Sequence, residues 1–189
     1  MKTGISVKKL IWLAIAVLCC LSPVFGDRAP IDINLIIDGS ASLSGVKEEI
    51  TLWVNNRLDQ ILTEGDRVTV WKAGPVAEVV YSGTVNNNTD KEAVKTSVRG
   101  ISGSGEYADF SGALREAANT ASGRQQNTIF SYTLLISASP EALSSVLDSS
   151  QANLLRFSRV EEFSAWRALV VGLNLDARVR RAAAAFMGQ

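Results

Sequence analysis

The sequence predicts an α/β protein with an open, mostly parallel central sheet that is covered by helices on both faces. Short runs that are almost entirely apolar alternate along the chain with longer segments whose apolar residues recur every three or four positions. The short runs indicate strands buried on both faces, and the longer segments indicate amphipathic helices. A chain of 189 residues is long enough for one such domain with a sizeable core.

The first half of the chain carries three strands and two helices in this prediction. The run IDINLIID at 31–38 is the first strand, and the apolar spacing that follows predicts a helix from about 45 to 63. Residues 67–73 and 77–84 are rich in β-branched and aromatic side chains and are separated by Gly-Pro, which predicts a hairpin or two neighbouring strands. A short helix is predicted after Asp90, which we assign as its N-cap.

The second half continues the alternation. A helix is predicted at 110–121, a buried strand at 130–139 and another helix at 140–157. A final strand is predicted at 165–173, and a helix at 175–189 closes the chain. In an open sheet of parallel strands, the binding crevice lies beyond the carboxyl ends of those strands.

The N-terminal segment has the pattern of a secretory signal peptide. Three lysines precede the apolar stretch at 10–24, and small residues stand around a predicted cleavage point before Asp27. We therefore divide the chain into a signal peptide at 1–26 and one domain at 27–189. An uncleaved anchor is the alternative, although the apolar stretch is short for a membrane span.

Composition excludes several classes of function. The chain has no histidine, and both cysteines, Cys19 and Cys20, lie in the predicted signal peptide. The mature domain would therefore lack a histidine base, a cysteine nucleophile and a disulfide framework. It would also carry 16 basic against 19 acidic residues, because three lysines and no acids are removed with the signal peptide. Such a charge balance argues against a nucleic-acid partner.

Oxygen-bearing side chains occupy every second position at the end of the first strand. Asp38, Ser40 and Ser42 form a D-x-S-x-S pattern where the apolar run stops. A carboxylate with two hydroxyls suits a hard cation such as Mg2+, Mn2+ or Ca2+. The alternative is a polar turn from strand to helix in which Ser42 or Ser44 caps the helix.

At these residues the chain resembles the von Willebrand factor type A (vWA) domain family. LIIDGSASLSG carries the most specific part of the resemblance, and GEYADFSGALREA at 105–117 is similar to the family's second conserved loop and helix. SYTLLISASPE and WRALVVGL are similar to two of its later strands. The resemblance implies a Rossmann-like vWA fold and protein binding through a divalent metal at a metal-ion-dependent adhesion site.

Two positions depart from the family pattern. Ala108 stands where the resemblance implies a metal-binding threonine, and Ala138 stands where it implies an aspartate. Asp38, Ser40 and Ser42 remain as metal ligands, with Asp109 as an additional candidate. We expect either a reduced site for Mg2+, Mn2+ or Ca2+, or a domain that kept the sheet and needs no metal.

The predicted function is an exported, non-enzymatic module that binds another protein. The predicted contact residues lie in two loops at the carboxyl end of the sheet: Gly103, Ser104, Glu106, Tyr107, Asp109, Ser137 and Ser139. The predicted compartment is a bacterial periplasm or the cell surface. Contact with a membrane is expected only if the N-terminal segment stays uncleaved.

Two alternatives belong to other classes of function. The first is a structural subunit of a cell-envelope complex, tethered by an uncleaved N-terminal helix. The second is a serine hydrolase, since Ser44 and Lys47 fit an S-x-x-K pattern in which lysine serves as base. The other motifs of such enzymes do not follow in the sequence, so a solvated lysine in the first helical turn is the competing interpretation.

Overall fold

The structure is a computed structural model that describes residues 29–123, 130–139, 142, 157–162, 165 and 167–172. Within these ranges, no helix combines the length and apolar character needed to cross a membrane. The predicted signal peptide and the predicted closing helix at 175–189 lie outside the described residues. The predicted helix at 140–157 lies outside them too, except for Ala142 and Phe157.

Six strands, three α-helices and one 3-10 turn make up the described part of the chain. The strands are β1 (Ile31–Asp38), β2 (Arg67–Ala73), β3 (Ala77–Thr84), β4 (Phe130–Ser137), β5 (Phe157–Glu162) and β6 (Arg167–Gly172). The helices are α1 (Lys47–Ile61), α2 (Asn88–Gly100) and α3 (Phe110–Gly123), and the 3-10 turn at Ala41–Gly45 links β1 to α1.

The six strands form one mixed sheet in the order β3-β2-β1-β4-β6-β5. β1 lies in the middle and pairs in parallel with β2 and β4. β3 and β6 run in the opposite direction, and β5 is antiparallel to β6. Four strands therefore share one direction, which confirms the predicted α/β fold with a mostly parallel sheet.

The hydrophobic core lies on both faces of this sheet. All eight residues of β1 are buried, as expected for a central strand with helices on each side. On one face, Ile33 and Leu35 belong to a cluster that includes buried side chains of α1 and α2. On the other face, Ile36 belongs to a cluster with the apolar side of α3, including Phe110. The core therefore lies between the sheet and a helical layer on each of its faces.

Two sequence predictions need correction. The prediction assigned no strand to 157–162, whose charged sequence FSRVEE is not apolar enough to read as a buried strand. It forms β5 because it pairs with β6 at the edge of the sheet, and an edge strand needs less apolar character. The N-cap of α2 is Asn87 rather than Asp90, because the Asn87 side chain accepts a hydrogen bond from the backbone N–H of Asp90 at 3.1 Å.

An ion-pair cluster joins α1 to α2 and gives a testable pH dependence. The Lys95 ammonium contacts Asp59 of α1 and lies 2.8 Å from Glu92 of its own helix. Hydrogen bonds to Asp59 and then to Glu92 raise the pKa of Lys95 above its usual 10.5. Because the folded-state pKa is the higher one, this stabilisation is complete below pH 10.5 and is lost as the pH rises through the folded value.

We expect Lys95→Met to lower the free energy of unfolding by about 0.5 to 1 kcal/mol at neutral pH, since both acids are largely exposed. The difference from the wild type should shrink when urea unfolding is repeated above pH 10.5. Lys91→Met on the same helix is the control. A Lys95→Met loss that stays constant up to the most alkaline pH would contradict an ion-pair origin.

Candidate functional site

The D-x-S-x-S segment forms a tight turn at the end of β1. The Asp38 side chain accepts a hydrogen bond from the backbone N–H of Ser40 at 2.8 Å, which bends the chain out of the strand. Gly39 donates its N–H to the Ala73 carbonyl at 2.7 Å, and a Cβ at residue 39 would stand 2.8 Å from that oxygen. Glycine is therefore required at 39 because β1 and β2 approach closely there.

The Asp38 carboxylate is fully buried and joins the ends of β1 and β4. Its second oxygen accepts hydrogen bonds from the Ser137 hydroxyl at 2.8 Å and from the Ala138 N–H at 3.2 Å. With the Ser40 N–H, three donors from the chain itself face this carboxylate. A buried carboxylate is stabilised by such donors without any cation.

The two serines of the motif lie side by side. Their hydroxyl oxygens are 2.6 Å apart and hydrogen-bonded to each other. Ser40 is buried and Ser42 is exposed, so the pair offers one accessible hydroxyl to solvent. Neither Ser42 nor Ser44 caps a helix, since Val46 is the N-cap of α1 and no side chain bonds there. The capping interpretation is therefore wrong for both.

The 102–109 loop is fastened to this turn through the backbone. The Gly39 carbonyl accepts hydrogen bonds from the N–H groups of Ser104 and Gly105, at 3.1 and 3.0 Å. The Ala41 N–H donates to the Gly105 carbonyl at 2.9 Å. Gly103 passes so near to Ser40 that a Cβ would stand 2.1 Å from the Ser40 carbonyl oxygen. The fold thus brings the first motif and the predicted contact loop into direct contact.

Several predicted contact residues face solvent on this loop, and others have structural partners. Ser104, Glu106 and Tyr107 are exposed, Tyr107 to 57%. Asp109 caps α3, because its carboxylate accepts a hydrogen bond from the Gly112 N–H at 2.8 Å. The Asp109 carboxylate is therefore used to cap α3. Among the described residues, it shares no hydrogen bond with Asp38, Ser40 or Ser42.

The loop after β4 is held by its own serines. Ser137 is fully buried, and its hydroxyl oxygen accepts the N–H of Ser139 at 2.8 Å. The Ser139 hydroxyl lies 3.4 Å from the N–H of Ala142. The Ser137 hydroxyl therefore bonds both to Asp38 and to the backbone of Ser139. Ser139 itself is half-buried in the loop that follows β4.

The donor set does not fit the divalent cation that the resemblance implies. Asp38 is the one carboxylate of the motif, and both of its oxygens already accept hydrogen bonds. Ala108 and Ala138 bring methyl groups that pack against the two hydrophobic clusters instead of oxygen ligands. Within the described ranges, no group of three or more histidine, cysteine, aspartate or glutamate side chains could hold a metal. Hard cations take six or more oxygen ligands, and the oxygens offered here are one carboxylate that already accepts hydrogen bonds and two hydroxyls bonded to each other.

A lysine and an apolar turn at the same edge were missed by the sequence interpretation. The stem of Lys72 lies across Gly39, with its Cγ and Cε 2.8 and 2.9 Å from where a Cβ would be. Pro75 and Val76 form the exposed turn between β2 and β3, and Val76 is 82% exposed. The Gly74 carbonyl accepts the Asp109 N–H at 3.1 Å, so this turn adjoins the 102–109 loop. Only the sheet order places these side chains together.

Ser44 and Lys47 do not form a catalytic pair in the structure. Ser44 is exposed in the 3-10 turn, and Lys47 is the first residue of α1. No hydrogen bond joins the two side chains in this part of the described chain. The local geometry fits a solvated helix start.

The strand order, the helices on both faces and the turn after β1 define a domain that resembles vWA domains. The solved structures to which the chain is similar are distant. The von Willebrand factor type A protein from Catenulispora acidiphila is 18% identical over 55% of this chain and 25% of its own, with a TM-score of 0.44. Three N-terminal domains of the type V pili tip protein Mfa5 from Porphyromonas gingivalis are 17% identical over 56% and 19%, also at 0.44.

An uncharacterized membrane spanning protein from Vibrio fischeri is 14% identical over 85% of this chain and 89% of its own, with a TM-score of 0.43. For the proteins from Catenulispora acidiphila and Porphyromonas gingivalis, in contrast, the match spans a quarter or less of their own length. No protein-family model matches the sequence, and no curated protein is similar to it. Likenesses this distant say nothing about what the chain binds, and the fold description rests on its own strand order.

Proposed function

We propose that this chain is an exported, non-enzymatic protein-binding module of vWA type. Its partner contacts what we call the contact edge: Ser42, Ser104, Glu106 and Tyr107 with the Pro75–Val76 turn. The single observation that carries the proposal is the exposure of two large apolar side chains there, Tyr107 at 57% and Val76 at 82%. Aromatic side chains with polar neighbours are typical of protein interfaces.

The backbone of the contact edge supports the proposal because it is organised before any partner binds. Three main-chain hydrogen bonds tie the 102–109 loop to residues 39 and 41, and another ties it to Gly74. A loop that is already ordered loses little conformational entropy on association. The surface can therefore bind a partner through apolar contacts and hydrogen bonds without first folding.

The partner we propose is another protein. The chain as a whole has 19 basic and 19 acidic residues, so it has no excess positive charge for nucleic acid. We propose export on the basis of the N-terminal apolar segment, and with it a location in a periplasm or at the cell surface. We propose no cofactor, because the donor set around Asp38 does not fit a divalent cation.

We propose no chemical turnover. Among the described residues, the hydroxyls of Ser40 and Ser42 bond to each other and that of Ser137 bonds to Asp38, and no lysine shares a hydrogen bond with these three serines. A serine-reactive probe should leave Ser44 unlabelled. Stoichiometric labelling of Ser44 would instead support the hydrolase alternative.

Site-specific photo-crosslinking in the native host tests the proposed contact edge. A photoreactive amino acid in place of Tyr107 is expected to give a discrete crosslinked species with a protein. The same amino acid in place of Thr84 is the control. Thr84 is exposed and pairs with Arg67, the first residue of β2, so it lies at the end of the strands that is remote from the contact edge.

Val76→Asp should abolish the crosslink from position 107 without unfolding the domain, since Val76 is 82% exposed. The reason is that a charge in a desolvated apolar contact is costly. Equal crosslinking from positions 84 and 107, or a crosslink that survives Val76→Asp, would show that the contact edge is not the partner surface.

A further inference from the structure

We propose that Asp38 is a positioning residue for the 102–109 loop, at the position where the resemblance implies a metal ligand. In this view the carboxylate acts through hydrogen bonds to the chain, and the contact edge stays in its binding form without a divalent cation. The inference rests on the proposed function only for the identity of the 102–109 loop as the partner-contacting segment.

A continuous series of hydrogen bonds leads from β4 to the loop. Asp38 accepts from the Ser137 hydroxyl and the Ala138 N–H on the β4 side, and from the Ser40 N–H on the other. The Ser40 bond sets the course of residues 39–41, whose backbone groups hold the loop. The Gly39 carbonyl then accepts from Ser104 and Gly105, and the Ala41 N–H donates to Gly105.

The surroundings of Asp38 explain how a buried carboxylate is stable here although the other metal ligands that the resemblance implies are not all present. Three donors face a carboxylate with no exposed surface, so a non-accepting side chain would leave the N–H groups of Ser40 and Ala138 without this buried acceptor. The Ser137 hydroxyl would keep the Ser139 carbonyl oxygen, 3.0 Å away, as its acceptor. Ala138 contributes its backbone N–H to this arrangement, in place of the carboxylate that the resemblance implies. The stem of Lys72 across Gly39 brings a positive charge to the same edge, which opposes a second cation.

Amide hydrogen exchange by NMR tests the positioning role without any partner. The reporters are the N–H groups of Ala41, Ser104 and Gly105, and the reference amides are Ile50 and Val54 of α1, which bond within the helix. Asp38→Ala is expected to speed exchange at the reporters by about tenfold or more relative to the references. Adding Mg2+ or Ca2+ to the wild type should change none of these rates.

Asp66→Ala is the matched control. Asp66 is equally buried, and its carboxylate accepts from the N–H groups of Ile31 and Thr63 at the opposite edge of the sheet. It should destabilise the domain and leave the reporter-to-reference ratio unchanged. Should Asp38→Ala fail to fold, Ser137→Ala removes one donor and is expected to raise reporter exchange by about threefold.

Two results would overturn the proposal. One is reporter exchange that is unchanged in Asp38→Ala, or accelerated as much by Asp66→Ala, because the effect would then be global stability alone. The other is slowing of reporter exchange by Mg2+ or Ca2+ in the wild type that disappears in Asp38→Ala, because that would establish a metal site. Neither result affects crosslinking from position 107, so failure of this inference is separable from failure of the proposed function.

Discussion

Asp38→Ala is expected to lower the free energy of unfolding by about 3 to 5 kcal/mol, because it leaves buried donors without an acceptor. The donors are the N–H groups of Ser40 and Ala138, whereas the Ser137 hydroxyl keeps the Ser139 carbonyl oxygen as a second acceptor at 3.0 Å. Alanine also opens a small cavity at a position with no exposed surface. Urea unfolding followed by circular dichroism measures the loss.

Asp109→Ala is the control for this prediction. Asp109 is half-buried and accepts one hydrogen bond from the Gly112 N–H at the start of α3. Loss of a helix cap of this kind costs about 1 kcal/mol. If Asp38→Ala were no more destabilising than Asp109→Ala, the Asp38 carboxylate would not be the buried acceptor that the structure describes.

Gly103→Ala is expected to displace the 102–109 loop and to lower the free energy of unfolding by about 2 to 3 kcal/mol. An added Cβ would stand 2.1 Å from the Ser40 carbonyl oxygen and 2.8 Å from the Leu43 Cβ. The carbonyl belongs to the backbone and cannot rotate away, so the loop itself must move. We therefore expect weaker crosslinking from position 107 as well as a lower urea midpoint.

Gly100→Ala is the matched control, since a Cβ built at that position meets nothing within 4 Å apart from its chain neighbours and its own helix backbone. Its unfolding free energy should stay within about 0.5 kcal/mol of the wild type. A Gly103→Ala variant as stable as Gly100→Ala, with full crosslinking from position 107, would mean that the loop does not pack on Ser40 in solution.

Much of the fold could be predicted from periodicity, because periodicity reports local burial. The run at 31–38 is apolar at most positions, and every residue of β1 is buried. The apolar positions of the first predicted helix include Ile50, Val54 and Leu58, all of which are buried in α1. The strand at 157–162 could not be predicted this way, because its pairing with β6 and not its own pattern makes it a strand.

The candidate site was predictable only in part. The D-x-S-x-S spacing located Asp38, Ser40 and Ser42 at a strand end, and the glycine-rich loop was expected nearby. Which groups Asp38 meets could not be deduced, since Ser137 and Ala138 lie 99 and 100 residues away in the sequence. The same holds for Val76, whose 82% exposure depends on how the hairpin stands at the sheet edge.

The sequence by itself determined the alternation of strands and helices, the position of the oxygen-bearing turn and the absence of histidine, because each is a local or compositional property. Only the tertiary structure decided that β4 lies beside β1 and that the 102–109 loop rests on Gly39. That placement brings three donors to one buried carboxylate and leaves Tyr107 in solvent. Such contacts depend on strand order, which joins residues that no local pattern connects.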